Sequence, residues 1–334
     1  MKKSLVFLLF ATVSFSCKKV FFEEEPSTTP TSVFEQTWTY VNENYSFFEF
    51  KNINWDSVKT VHEPLVSDDI SEDSLFSVLS DMLYVLRDGH VNLVSRFDVS
   101  RNWAWYLDYP ANYDANLLER HYFKEQQQLI GPFTVFDFED VGYLHYATFS
   151  STITEETMQL VLDKFRSHKG LIIDVRDNGG GAISNVYAMA NHFVDDNEVT
   201  AYQRIKNGPG KDDYTEFYGM QLSPIEEHTA YAKPVILLTN RKCYSATNML
   251  RTVMGSLKNV TVVGDKTGGG GGVPTYTQLS NGWVLRVSSS QTFTLDGTNN
   301  EDGLDPDIQV DQTQLDDLLH RDALLEEALK LLRE

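Results

Sequence analysis

A chain of 334 residues with 41% hydrophobic and 12% aromatic content is long enough for one large core with an appendage, or for two domains. Its 48 acidic against 28 basic residues leave a formal charge of −20, which excludes a nucleic-acid-binding face and describes a soluble, self-repelling surface. In chain order, Lys2 and Lys3 precede an apolar stretch from Leu5 to Phe15 and then Ser16-Cys17, the layout of a secretory signal, not of a spanning helix. The small residue before Cys17 suggests lipoprotein processing, with Cys17 as the lipidated first residue of an exported, membrane-anchored chain; ordinary secretion is the alternative. Cys243 is then the one cysteine of the folded part, so no intrachain disulfide framework is expected.

Residues 18–32 are acidic and then rich in Pro, Ser and Thr, which reads as a tether. From 33 to 95 the pattern is helical, with Phe34, Trp38 and Val41, and later Leu75, Leu79, Met82 and Leu86, at helical spacing. This predicts an N-terminal helical subdomain, followed by a core from 96 to 334. Residues 94–132 are aromatic-rich, including Trp103, Trp105, Tyr106, Tyr109 and Tyr113, a peptide-binding wall or packing over the core. Val135–Phe138 and Tyr143–Phe149 read as a hairpin and Glu155–His168 as a helix. Strands at 171, 235 and 260 alternate with helices, which gives an α/β core, and Leu315–Leu332 is an amphipathic carboxyl-terminal helix.

Three segments carry candidate chemistry. Val235–Leu238 is a short buried strand that breaks at Asn240 and delivers Ser245 to the start of a helix marked by Met249, Leu250, Val253 and Met254. Strand, sharp turn, serine and helix is the geometry of an activated nucleophile, although a serine at that boundary also serves as a simple helix cap. Leu171–Val175 is a second buried strand that runs through Arg176-Asp177-Asn178 into Gly179-Gly180-Gly181, a backbone able to approach a ligand closely. Leu86-Arg87-Asp88-Gly89-His90 ends a helical pattern and places a histidine, the base a serine needs, on the exit strand or loop. The five glycines at 268–272 lack the Gly-Lys-Ser/Thr ending of a phosphate loop and read as a mobile loop over the serine. The remaining histidines show no paired metal-ligand spacing, so no metal and no cofactor is expected.

These segments, with Gly264-Asp265-Lys266-Thr267-Gly268-Gly269 and Gly303-Leu304-Asp305-Pro306-Asp307-Ile308, resemble the S41 peptidases, the carboxyl-terminal processing and tricorn-like proteases. The resemblance implies a ClpP/crotonase-like strand-helix core and a serine endopeptidase acting on peptides or unfolded protein segments. Ser245 is the implied nucleophile, and backbone amides of Gly180 and Ala246 the implied oxyanion donors. The processing-protease lysine falls on Gly270, and Lys266 in the same loop reads as a surface charge, so the tricorn-like histidine, His90, is the expected base. The register of the orienting glutamate gives Asn300, with Glu301 beside it as the candidate carboxylate. Fewer than fifty residues separate Leu93 from Phe133, which leaves no room for the PDZ domain often found there. The competing expectation is a non-catalytic lipoprotein that holds a peptide or an apolar ligand on the same scaffold.

Overall fold

The computed structural model describes residues 27–101, 109–226 and 228–334. The leader with Cys17, and Trp103, Trp105 and Tyr106 of the aromatic segment, lie outside them. The chain opens with α1 (Pro30–Asn44), α2 (Trp55–His62) and α3 (Glu72–Tyr84). Proline at the start of α1 fits the helix N-terminus, and Val33, Phe34, Thr37 and Val41 form its buried stripe. α3 starts at Ser71, whose hydroxyl accepts the Ser74 amide, and carries Glu72 and Asp73 where the helix dipole favours anions.

Next come β1 (Asn92–Val94) and β2 (Val99–Arg101), which join β11 (Pro274–Gln278) and β12 (Val284–Ser288) in the order β11-β12-β1-β2. The register pairs Leu93 with Leu285 and Asn92 with Arg286. The three helices therefore close over strands from a distant part of the sequence. Phe34, Leu79, Leu83 and Leu86 share one buried cluster with Leu279, Trp283, Leu285 and Val287.

After the short α4 (Ala115–Leu117), the chain builds the main sheet from β3 (Gln128–Ile130), β4 (Phe133–Asp137), β5 (Val141–Tyr146) and β6 (Gly170–Asp174), with α5 (Glu155–Phe165) between the last two and α6 (Ile183–Ala190) after them. β7 (Glu198–Ile205) and β8 (Tyr218–Leu222) pair in a separate small sheet. β9 (Val235–Thr239), α7 (Ala246–Met254) and β10 (Val260–Gly264) return to the main sheet, β13 (Ser290–Phe293) completes the small one, and β14 (Ile308–Gln309) the main one. The main sheet runs β14-β10-β9-β6-β5-β4-β3, with β5, β6, β9, β10 and β14 parallel and β4 antiparallel to β5, as the expected hairpin requires.

Both faces of this sheet are covered, which explains why β6 and β9 read as unbroken apolar runs. Leu171, Ile173, Val235 and Leu237 face Met158, Val161, Val186, Leu250 and Val253 on α5, α6 and α7. The alternating Ile172, Ile236 and Leu238 face Leu324, Leu325 and Ala328 on the other side. Those last residues belong to the carboxyl-terminal segment, which is broken into α8 (Gln314–Leu318) and α9 (Ala323–Arg333) where one continuous helix was expected. His320 turns left-handed at φ 54°, and Asp322 caps α9 by accepting the Leu325 amide. Asp322 is also tied to Arg176, which fixes the break.

Candidate active site

The turns that follow β6, β9 and β10 all leave the same, carboxyl-terminal edge of the parallel sheet, where loops of this fold class gather ligands. Behind them Arg176 is fully buried, with its guanidinium 2.6 Å from Asp174 and 2.9 Å from Asp322. Tyr143 donates to the same Asp174 carboxylate at 2.9 Å. This network holds the base of the glycine turn and touches none of the candidate reacting groups. Asn178 extends it: its amide group donates to the Tyr146 carbonyl at 2.8 Å, and its oxygen accepts the Gly180 amide at 3.0 Å. Cys243 is sealed under the next turn, donating to the Val175 carbonyl, and burial pushes its thiol well above the usual range.

Ser245 sits on a tight turn between β9 and α7 with φ 57° and ψ −119°, a conformation that costs a non-glycine residue on the order of 1–3 kcal/mol. Its backbone is fixed at both ends, by Ser245 N–H to the Gly269 carbonyl at 2.9 Å and by the Met249 N–H to its own carbonyl at 2.9 Å. The hydroxyl makes no capping bond to α7. It lies instead 2.9 Å from Nε2 of His90, a residue 155 positions earlier in the chain. The cap geometry that serine commonly adopts at such a boundary is therefore not the one found.

His90 is held by its neighbours more than by a carboxylate. Its amide donates to Asp88 at 2.8 Å, and its ring packs edge-on against Tyr244 with centroids 5.1 Å apart. Nδ1 has no hydrogen-bond partner among the described residues, and the Gly272 backbone favours the imidazolium. Burial nevertheless dominates and, with Arg286 and Lys51 adding to it against the pull of Asp88, brings the imidazole down to about 4. A neutral ring at neutral pH is the form that accepts a proton.

Glu301 is brought near but not into contact with the imidazole. Its Oε1 accepts Lys51 Nζ at 2.7 Å and its Oε2 accepts the Gly271 amide at 2.9 Å. It thus anchors the loop whose next residue, Gly272, favours the imidazolium through its backbone. Asn300 points elsewhere, donating to Thr252 Oγ1 at 2.9 Å. Asp88 completes a buried cluster, accepting Ser288 Oγ at 2.8 Å with Lys51 4.0 Å away. Burial and the Asp88 charge raise Glu301 to about 8 against the pull of Lys51, whereas for Asp88 the burial penalty is outweighed by Lys51 and His90, and its carboxyl stays low. Lys51 and Asp88 were not singled out from the sequence: Lys51 sits in a polar stretch with no periodicity, and only the adjacency of Asp88 to His90 pointed to it.

Gly270, at φ +74°, shows why no lysine stands at that position: a Cβ there would lie 2.4 Å from the Tyr244 ring, which fills the space a side chain needs. Lys266 lines a separate hollow with Arg87 and Arg241 and not the cleft of Ser245. Gly180 packs flat on the serine turn, where a Cβ would meet the Tyr244 carbonyl at 2.7 Å, Ser245 Cβ at 2.8 Å and Ala246 N at 3.0 Å. Its own amide is engaged by Asn178, whereas Gly181 and Ala246 line the cleft beside Ser245. The cleft measures about 280 Å³ and is walled by Ile183, Met249, Val273 and Pro274 with Arg286 as its one fixed charge. Arg286 escaped the sequence reading because it reaches the site only through the pairing of β12 with β1.

The chain is similar to known peptidases in sequence and in fold. Residues 140–310 match the profile of peptidase family S41, and residues 26–84 match the tricorn protease C1 domain. The carboxy-terminal processing protease CtpA of Bacillus subtilis is 25% identical over 187 residues, 55% of this chain and 38% of that protein. The chain therefore matches well under half the length of that relative. The crystal structure of a candidate peptidase from Parabacteroides merdae superposes with a TM-score of 0.86 at 40% identity, covering 92% of this chain and 97% of that one. The photosystem II D1 C-terminal processing protease, at 18% identity and a TM-score of 0.56 over 87% of this chain and 96% of that one, shares the fold. The match over residues 140–310, half of the sequence, carries the assignment: the chain belongs to peptidase family S41.

Proposed function

We propose that the chain is an exported serine endopeptidase that cleaves peptides or unfolded protein segments through an acyl-enzyme on Ser245. The observation that carries this reading is the 2.9 Å approach of His90 Nε2 to a serine hydroxyl held on a strained turn and not used as a helix cap. In the first step Ser245 Oγ attacks the substrate carbonyl while His90 takes its proton. The oxyanion that forms is met by the Ala246 amide at the start of α7 and by an amide of the Gly180–Gly181 turn. The imidazolium then returns the proton to the leaving amine as the C–N bond breaks. Water attacks the ester by the same route in reverse, and the acid product leaves. In this reading no carboxylate orients the imidazole; the loop of Gly272, whose backbone favours the imidazolium and which Glu301 holds through the Gly271 amide, takes that role.

The leader with Lys2, Lys3 and Cys17 supports a lipid anchor on the cell envelope. Among the described residues no helix is long and apolar enough to cross a membrane. Substrate selection rests in this reading on the apolar cleft and Arg286, without a PDZ domain. Mass spectrometry of the purified chain after treatment with a fluorophosphonate tests the proposal. One adduct on Ser245, absent from Ser245→Ala, is the expected result. No adduct from pH 5 to pH 9 would replace the enzyme with a binder that uses the same apolar cleft.

A further inference from the structure

A second hollow of about 350 Å³, sharing no lining residue with the cleft, is lined by Arg87, Arg241, Lys266, Lys51, Tyr109 and Asp302 among others. The three segments that build the candidate active site each contribute one cation to it. Arg87 precedes His90 by three residues, Arg241 precedes Ser245 by four, and Lys266 leads into the glycine loop. Lys51 is already paired with Glu301. Among the described residues, no carboxylate lies within 4.0 Å of Arg87, Arg241 or Lys266, and Asp302, the single acid of the lining, pairs with none of them.

Arg241 is the informative member. It is only 7% exposed; its Nη1 donates to the Thr267 carbonyl at 2.8 Å and its guanidinium lies 3.9 Å from the centre of the Tyr109 ring. That leaves a buried Nε donor with no partner. Burying part of a guanidinium without a full set of acceptors is costly, and a chain with 48 acidic residues had many carboxylates to offer it. Three cations without a counter-charge among the described residues, gathered in one hollow on a protein of charge −20, mark a place that an anion fills.

We propose that this hollow is a binding site for a small oxyanion, a phosphate or carboxylate group, gripped by Arg241 with Arg87 and Lys266 closing on it. The planar guanidinium suits a group with two adjacent oxygens, and the lysine adds a point charge. Because the three cations stand on the three loops that carry His90, Ser245 and Gly270–Gly272, a bound anion ties those loops together. The site is distinct from the cleft and its occupancy needs no chemistry at Ser245.

Titration calorimetry with inorganic phosphate on the Ser245→Ala chain, at an ionic strength held constant with sodium chloride, tests it. A saturable one-site isotherm is expected, weakened at least tenfold by Arg87→Gln and by Lys266→Gln. Arg87 is exposed and Lys266 half-buried, so unfolding does not confuse the result, and circular dichroism checks it. Absence of a saturable isotherm, or variants that bind phosphate as tightly as the Ser245→Ala chain, overturns the proposal and leaves the reading of Ser245 untouched. Displacement of phosphate by a short peptide with a free carboxyl terminus but not by its amide identifies the occupant as a peptide carboxylate. Displacement by neither identifies a free oxyanion such as phosphate.

Discussion

Lys51→Met is the substitution that most sharply probes how the candidate site is held. The ammonium is 3% exposed, 2.7 Å from Glu301 and 4.0 Å from Asp88, and is the one cation among two buried carboxylates. Methionine replaces its length without its charge, so packing is kept and the electrostatic effect is isolated. Removing one partner of a buried pair generally costs about 3–5 kcal/mol, because the remaining charge has lost both water and counter-ion. The size of the loss here depends on pH. At pH 6 Glu301, whose carboxyl is raised to about 8 in the intact cluster, takes up a proton and needs no partner. At pH 9 the intact cluster holds both carboxylates charged against Lys51, whereas the variant must either bury Glu301 unpaired or hold a proton on it against the solvent, so the penalty falls on the variant there. Urea unfolding at pH 6 and pH 9 should therefore show a small loss at the lower pH and one near the upper end of that range at the higher. The double variant Lys51→Met/Glu301→Gln should recover most of the loss at pH 9, since only Asp88 then remains charged. An equal loss at both pH values, or a double variant no better than the single, would refute the account of the cluster.

The proton balance of the site makes two further predictions. With His90 at about 4, fluorophosphonate labelling of Ser245 should stay on its plateau below pH 6 and fall only near pH 4; Arg286→Gln, which removes a charge that lowers His90, should move the fall towards 6.5. Stability follows by linkage: between 6.5 and about 4 the unfolded chain binds the His90 proton that the folded chain refuses, so folding weakens by up to about 3 kcal/mol as pH falls through that window, and His90→Gln should flatten the slope in an unfolding series. Glu301 acts in the opposite sense. The folded chain keeps its proton between 4.5 and about 8, and the stability this gives is lost as pH rises through that range. Gly180→Ala should lower the labelling rate, because at φ +98° its new methyl would meet the Tyr244 carbonyl at 2.7 Å and Ser245 Cβ at 2.8 Å and displace the serine turn; an unchanged rate would show that the turn gives way. Gly270→Lys in a His90→Ala background should not restore labelling, because the Tyr244 ring occupies the path a side chain at 270 would take; restored labelling would show that the ring yields.

The parts of this molecule legible in the sequence are those set by local pattern. β6 and β9 announce themselves as apolar runs because both of their faces are covered, and the helices of the amino-terminal region show their buried stripes. Ser245 and His90 were legible as a pair only through resemblance, since no periodicity links residues 155 positions apart. What the sequence hid was partnership across the fold. The reading of residues 33–95 as a helical subdomain contains no sign that Leu285 and Val287 fill its core. Leu315–Leu332 is continuously amphipathic, yet Asp322 is drawn to Arg176 and breaks the helix, a tertiary ion pair that no helical wheel reveals. The register of the orienter falls on Asn300, and the neighbouring carboxylate, Glu301, has its oxygens claimed by an ammonium and a backbone amide, so charge and adjacency alone pointed to a contact that the loop prevents.

The return of β12 to β1 sets a clock on the whole protein. His90 rides on the lobe that closes only when residues 279–287 dock against it, while Ser245 is fixed by the central sheet and by Gly269. Both groups precede, along the chain, the strand at residues 284–288 whose pairing with β1 holds the His90 lobe. Docking of such distant segments is among the slow events of folding. The 2.9 Å approach of hydroxyl and imidazole thus depends on a pairing between residues 92–94 and 284–286, so a change that loosens β12 reaches the candidate site without touching either group.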